Sequence, residues 1–519
     1  MEQAMNKPSA PSHPIYLYFL ILLFLSSAHT TADAIDQAPS IGPNITFHFR
    51  PEGNFFGDPI PYYHDGVHHV YYLGKHKKPN GKWGGLEWAH LASRDLVNWK
   101  QLPAAITPDE NEPFIATGSI VEKDGLFHAF YCTAIKKENT KETDRAICVA
   151  TSRDLVTWTK SSKSPLILLH SDVPKDVYDT TQVWRDPHVF WNPETDQWWM
   201  AVAAMEQTHG EYGPAGAVAY ATSSNLSNWT VKREPMLLDR DSRAGECPDI
   251  FQFGNGWAMI MYAHTSWIRL ADSPLGPWRR PKNDSPNGIH FNAGKTDYDG
   301  KRTIWQAYLE TLKSDYDGHS YGGVMALPRE LYLDETGHPA VRLVPEIVKA
   351  CNKDATSGLG SKAFTSLLKS PVRANAKSIT LEPKVGHHAL AHWKEAPKDF
   401  FLSADVTVAE GSLFTLYFRS DEKIEDSYIL RIDPVNSEVS FRHWVKWNRN
   451  SPMDARSLEI PTDRSFKLHV MVHGDVFEAF IDDRIAISSR MQIAKGSLAI
   501  SARDGTIELK HLKITHWAD

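Results

Sequence analysis

Cysteine is scarce: four residues (Cys132, Cys148, Cys247, Cys351) in a chain of 519. That is too few to staple a disulfide-built scaffold, so a hydrophobic core must hold the fold. Long apolar runs are scarce too. The strongest, Ile15–Leu25, is shorter than the about 20 residues that cross a bilayer, and no later stretch is apolar enough to do so. Charge of one sign is missing. The 56 Lys and Arg against 63 Asp and Glu give a formal net charge of −7. No basic stripe suits nucleic acid, and no like-charged block forms a tail. Histidines number 24, but His68-His69 and His387-His388 read as strand or surface residues, and no spacing resembles a ligand set. No metal and no cofactor are expected. Convincing long helices are also absent.

What is abundant is aromatic: 17 Trp, 18 Tyr and 22 Phe, which suits β-structure and sugar-stacking surfaces. Ala32-Asp33-Ala34 after the apolar run is a small-residue cleavage pattern. Residues 1–34 therefore read as a secretory signal peptide cut before Ile35. Lys7 is the one Lys or Arg ahead of the run, which leaves an uncleaved anchor as the alternative. The expected destination is secretory: extracellular, cell wall or vacuole, with no membrane contact once the signal is gone. Sequons at Asn44, Asn225, Asn228 and Asn283 fit an exported protein. Cys132 and Cys148 fall in consecutive strand-like runs and are the candidates for a disulfide. Cys247 lies inside a candidate site motif and is expected to be a free buried thiol.

One pattern recurs as Ser93-Arg-Asp-Leu-Val-Asn-Trp99, Ser152-Arg-Asp-Leu-Val-Thr-Trp158 and Ser223-Ser-Asn-Leu-Ser-Asn-Trp229, and more loosely as Asp272-Ser-Pro-Leu-Gly-Pro-Trp278. Each copy follows a β-rich run. A second series places a turn before an aromatic, β-branched strand: Asp65-Gly66, Asp124-Gly125, Asn192–Gln197, Asn255-Gly256 and Asp299-Gly300. Asp-Gly and Asn-Gly favour tight hairpin turns, and alternation of period two follows them. Five such units predict an all-β fold that begins with a five-bladed β-propeller over residues 35–347, a large irregular sandwich being the alternative. Residues 348–377 read as a linker, and the short alternating strands of 378–519 as a β-sandwich.

Three acidic knots lie beside prolines: Gly57-Asp58-Pro59, Arg185-Asp186-Pro187 and Glu246-Cys247-Pro248-Asp249. Proline bends the chain there and excludes helix. In a propeller the first strands of different blades converge on one mouth, so the three acids can meet. Glycoside cleavage by double displacement needs a carboxylate nucleophile and a second carboxylic acid to protonate the departing oxygen. Asp58 is the expected nucleophile, ionised at working pH. Glu246 is the expected acid/base, its pKa raised by burial and a neighbouring carboxylate. Asp186, held by Arg185, is expected to bind sugar hydroxyls in the transition state. Trp83 and Trp88 could stack on sugar faces, and Asp249 could bind substrate or orient a neighbour. Singly, an Asp-Pro pair is usually a turn and Asp186 beside Arg185 an ordinary ion pair; only the trio lifts the functional reading above those alternatives.

These motifs resemble glycoside hydrolase family 32, the invertases and fructan hydrolases, over nearly the whole mature length. Arg185-Asp186-Pro187 resembles the family's transition-state stabiliser motif, and Glu246-Cys247-Pro248-Asp249 its acid/base motif. Phe55-Phe-Gly-Asp-Pro-Ile-Pro61 corresponds to its nucleophile motif, Trp-Met-Asn-Asp-Pro-Asn-Gly. Supporting matches are Trp83-Gly, Trp88–Trp99, Thr117-Gly-Ser119, Met325–Leu331 and Asp475–Arg484; they place Thr117 and Ser119 with the substrate-binding residues. The resemblance implies the propeller-plus-sandwich fold and a carbohydrate substrate.

The first motif departs from the pattern. Gly57 and Ile60 replace both asparagines that flank the nucleophile, and Leu73 stands for a family glutamine. In the family these amides bind fructose hydroxyls, and each lost partner costs about 1–3 kcal/mol. Apolar Ile60 and Leu73 suggest a pocket for a less hydroxylated or decorated furanoside. The expected function is thus a secreted retaining glycosidase acting on sucrose, a fructan, a decorated fructoside or a related furanoside. An arabinofuranosidase-like hydrolase, a fructosyltransferase and a catalytically silent carbohydrate-binding homologue are the alternatives. An acidic optimum would suit paired carboxylates, and the oligomeric state is left open.

Overall fold

The computed structural model describes residues 31–517 except 137–141, 182, 208–214, 240–244, 312–320, 355–364, 367–370, 376, 447–450 and 493–495. The expected signal peptide lies outside the described residues up to position 30. The described chain is all-β apart from short helices at Thr31–Gln37, Leu169–Asp172 and Pro345–Ala350.

Five antiparallel sheets follow one another along the first two thirds of the chain. Their first strands are Gly57–His64, Gly118–Lys123, Trp184–Asn192, Glu246–Phe253 and Asn292–Tyr298. Each turns at one of the five predicted hairpins into a second strand: Val67–Lys77, Leu126–Lys136, Gln197–Met205, Gly256–Tyr262 or Thr303–Glu310. Asp65 and Gly66 have φ of 49° and 79°, Asp124 and Gly125 of 54° and 72°. Tight hairpin turns need such positive values, and glycine and aspartate tolerate them.

The Ser-x-Asp-Leu pattern is a turn with a stated job. It closes the third strand of the first three sheets. In the first, the Asp95 carboxylate accepts the N–H groups of Val97 and Asn98 at 3.0 and 2.7 Å. Asp154 repeats this toward Val156 and Thr157, and Asn225 toward Ser227 and Asn228. The following leucine takes positive φ in each copy: Leu96 59°, Leu155 61°, Leu226 63°. Its side chain is buried, so packing holds a backbone conformation that costs about 1–3 kcal/mol.

Beyond residue 343 the strands form an eight-stranded and a seven-stranded sheet, and these bury one apolar core between them, with Leu402, Val406 and Val470 from one sheet and Phe414, Leu430 and Ile500 from the other. The stretch expected as a linker is partly woven into them. Lys353–Asp354 pairs with Ile507–His516, Thr365–Ser366 with His388–Trp393, and Val372–Ala374 with Ile379–Leu381. A buried polar cluster joins the two halves. Glu478 accepts from the Leu327 N–H at 2.7 Å, from Ser488 Oγ at 2.8 Å and from the Arg329 guanidinium, and lies 2.9 Å from His48 Nε2. Burial alone would raise the Glu478 pKa; Arg329, His48 and the Leu327 N–H outweigh it and hold it at about 2.

One expectation fails here. Cys132 and Cys148 are free and buried. They do sit on neighbouring strands, but the register pairs Tyr131 with Cys148 and Cys132 with Ile147. A one-residue offset sends the two thiols to opposite faces of the sheet, where no S–S bond can reach.

Candidate active site

Four of the five first strands break at the same place. A β-bulge interrupts the ladder between Gly57 and Ile60, Arg185 and His188, Glu246 and Asp249, and Asn292 and Lys295. Each bulge holds a non-glycine residue at positive φ: Asp58 at 25°, Asp186 at 60°, Cys247 at 48° and Ala293 at 48°. The next residue is Pro59, Pro187, Pro248 or Gly294. Proline cannot donate to the ladder, and the bulge bends the strand and re-aims its side chains. At Gly294 a Cβ would sit 2.4 Å from Trp305 Nε1, so only glycine fits. The acid-proline pairs in the sequence are therefore bulge signatures.

The first strands of successive sheets touch, and the fifth touches the first. Between them lies a cavity of about 250 Å³ lined from all five, by Ile60, Ser119, His188, Asp249 and Lys295 among others. At the bulged ends the three acids come together. Asp186 Oδ2 accepts the Cys247 N–H at 3.0 Å. Cys247 Sγ lies 3.8 Å from Asp186 Oδ2 and 3.8 Å from Asp58 Oδ2. Arg185 Nε is 3.6 Å from Asp186 Oδ2, and Arg185 Nη2 donates to Glu246 Oε1. Asp58, Cys247, Asp186, Arg185 and Glu246 thus form one line of contacts drawn from three sheets.

The electrostatics fall unevenly. Burial first, then the Asp186 carboxylate and, more weakly, Glu246, push Asp58 up to about 7; Tyr321 and Lys295 oppose them. The acid expected to stay ionised at working pH therefore keeps its proton up to near neutrality. Burial pushes the Cys247 thiol well above its ordinary value, helped by Asp58 and Asp186. It is the free buried thiol the sequence suggests, and it spaces the two aspartates.

The other predicted residues divide. Arg185 is in the cluster, and Trp83 is 41% exposed at the tip of the first sheet, with Lys77 Nζ 5.9 Å from its ring centroid. Trp88 offers no stacking face: it is fully buried and its Nε1 donates to the Ala116 carbonyl at 2.9 Å. The strand alternation that exposes one tryptophan buries the other. Thr117 is buried with its Oγ1 unpartnered among the described residues. Ser119 is taken by structure, its Oγ accepting the Val189 N–H at 2.8 Å and so tying the second sheet to the third. Asp249 orients rather than waits: its Oδ2 accepts from Thr296 N–H at 2.7 Å and Thr296 Oγ1 at 2.8 Å. Ile60 and Leu73 are 1% and 2% exposed and pack in one cluster with Tyr71, Trp88 and Ile115; Leu73 builds core, whereas Ile60 also lines the cavity between the first strands.

Two residues escaped the sequence reading. Lys295, buried in the fifth first strand, donates to the Gly118 carbonyl at 2.9 Å and acts on Asp58 electrostatically; a lone lysine carries no local signal. Tyr321 packs over Gly57 and lies beside Asp58.

Residues 48–343 match the family described as glycosyl hydrolases family 32 N-terminal domain. A fructan 6-exohydrolase of Triticum aestivum is 27% identical over 380 residues, covering 62% of this chain and 61% of the relative. A levanase of Bacillus subtilis is 30% identical over 249 residues, 46% of this chain and 33% of the relative. An insoluble beta-fructofuranosidase isoenzyme 7 of Oryza sativa subsp. japonica is 31% identical over 380 residues, 64% of this chain and 60% of the relative. The chain thus spans between a third and three fifths of the length of these relatives. Among solved structures, a sucrose-6-phosphate hydrolase from Lactobacillus gasseri superposes with a TM-score of 0.68 at 16% identity, covering 91% of this chain and 93% of that one. Fructan 1-exohydrolase IIa from Cichorium intybus superposes with 0.67 at 17% identity, covering 91% and 97%. Likeness at such identities is a likeness of fold.

Proposed function

The chain belongs to glycosyl hydrolase family 32, and from that premise we propose that it is a retaining glycosidase for a terminal β-fructofuranoside or related furanoside. The observation that carries the reading is the line Asp58–Cys247–Asp186–Arg185–Glu246, which brings three acids from three sheets to one mouth. In this reading the five sheets are the blades of a closed propeller around the axial cavity. The catalytic domain is residues 35–347, and 348–377 connects it to a β-sandwich over 378–519 while lending that sandwich three short strands.

Asp58, once ionised, attacks the anomeric carbon while the bond to the departing oxygen breaks and Glu246 gives that oxygen its proton. Glu246 then takes a proton from water, which displaces Asp58 and releases the sugar with its configuration retained. Asp186 stays beside Arg185 and holds sugar hydroxyls most tightly as positive charge develops on the ring. The exposed Trp83 ring is a further sugar contact in this reading.

The relatives' names, a fructan 6-exohydrolase, a levanase and beta-fructofuranosidases, support a fructosyl substrate, as do solved relatives in complex with sucrose and 1-kestose. The insoluble plant isoenzymes support export through the secretory pathway. Gly57 and the buried Ile60 and Leu73, in place of amides, support a fructosyl unit gripped differently from that of the common invertases. Turnover of one member of a panel of sucrose, inulin, levan, a decorated fructoside and an aryl arabinofuranoside is expected, abolished in Asp58→Asn and Glu246→Gln. Sugar binding untouched by both substitutions, with no turnover anywhere, would replace the enzyme by a carbohydrate-binding protein.

A further inference from the structure

The space beside Gly57 is occupied. A Cβ at Gly57 would sit 2.8 Å from Tyr321 Cε1 and 3.2 Å from both its Cζ and its hydroxyl oxygen. The phenol fills the volume that a side chain at 57 would need. Local backbone pairing holds it there. The Phe56 N–H donates to the Gly323 carbonyl at 3.1 Å, and the Gly323 N–H to the Phe56 carbonyl at 2.9 Å. Gly322, at φ 79°, runs so close to Phe55 that a Cβ would meet its ring at 2.5 Å. The Tyr321 ring stands edge-on to Phe55 and Tyr308, with centroids 5.3 and 6.0 Å away. Part of the ring reaches the surface, but the hydroxyl is buried, lies beside the Asp58 carboxyl, and has no hydrogen bond of good geometry among the described residues. A buried hydroxyl without a partner is costly and seldom kept without a use.

We propose that Tyr321 is a positioning residue for Asp58: admitted by the missing side chain at Gly57, its phenol donates to the Asp58 carboxylate once that carboxyl has lost its proton. The proposal rests on Asp58 being the nucleophile of the glycosidase reading. The bond stabilises the ionised form and leaves the second carboxylate oxygen to face the anomeric carbon. The other titratable groups facing Asp58 are Asp186, Glu246 and Cys247 from the third and fourth first strands and Lys295 from the fifth, with the phenols of Tyr262 and Tyr308 behind them. The two carboxylates disfavour ionisation, and Lys295 and Tyr321 favour it.

Tyr321→Phe keeps the ring and its packing and removes only the donor. Titration of the Asp58 carboxyl in the full chain, followed by carbon-13 NMR, should move upward by about one unit in this variant. Gly57→Ala, which must displace the ring, should give the same upward movement. With a substrate from the panel, kcat should fall about ten-fold or more with KM within about two-fold, and the acidic limb should rise with the NMR value. A lowered Tm with the Asp58 titration and kcat unchanged would make Tyr321 merely structural and overturn the proposal. The NMR arm needs no turnover. A shifted Asp58 titration in a chain that cleaves nothing would sink the glycosidase reading and leave the Tyr321–Asp58 contact standing.

Discussion

Lowering the pH should silence the site near neutrality, because Asp58 must shed a proton before it can attack. Burial and the facing Asp186 place its pKa at about 7. At pH 6 about one molecule in ten then carries the carboxylate, and at pH 5 about one in a hundred. The quantity to follow is kcat/KM between pH 4 and 9, which reports ionisations of the free enzyme. It should fall about ten-fold per unit below pH 7. This reverses the acidic optimum that paired carboxylates suggest from sequence. The cause is separable. Asp186→Asn removes the largest electrostatic contribution, and a neighbouring unit charge at intermediate dielectric is worth about one to two units. Read as residual activity or by NMR of the Asp58 carboxyl, the limb should move down by that amount. Because the carboxyls interact, the limb belongs to the cluster and not to one atom. A wild-type profile flat to pH 5, or a limb that Asp186→Asn leaves in place, would refute the electrostatic reasoning.

The same proton makes a stability prediction. A carboxyl whose folded pKa exceeds its unfolded value, 3.8 rising to about 7, loses stability as pH rises through that window. Asp58→Asn should therefore raise the Tm at pH 8, by up to about 4 kcal/mol of stability at 1.36 kcal/mol per unit; an unchanged or lower Tm in calorimetry counts against it. Glu478 runs the other way: held at about 2, it stabilises above its unfolded pKa and loses this as pH falls toward 2. Glu478→Gln strands Arg329 and His48 and should cost about 3–5 kcal/mol, measured by denaturant unfolding at pH 7; a loss under about 1 kcal/mol would show the cluster to be dispensable. The four free thiols should all react with a thiol reagent in denaturant without prior reduction, and dithiothreitol should leave the Tm unmoved.

The strands and turns were legible where residues declare backbone geometry. Asp-Gly and Asn-Gly marked the hairpins because they accept positive φ. Asp95, Asp154 and Asn225 marked one repeated turn because only a short acceptor side chain can cap its N–H groups. Asp58, Asp186 and Glu246 were legible because proline follows at the bulge. What failed depended on register. Whether Trp88 faces solvent, and whether Cys132 faces Cys148, turns on a one-residue parity that composition does not carry. Tyr321 and Lys295 were missed for a different reason: each acts on Asp58 from more than two hundred residues away, and neither sits in a pattern. Ile60 and Leu73 were noticed as departures, but their burial, and the place of Ile60 beside the cavity, are tertiary facts.

At Ala293 the chain repeats the kink that carries Asp58 and Asp186, yet presents only a methyl group. The frame and the reagent are therefore separate parts, like identical brackets of which one holds no tool. A fourth functional group at that kink would inherit its direction from the backbone already there, but it would first have to displace the apolar core in which Ala293 is buried.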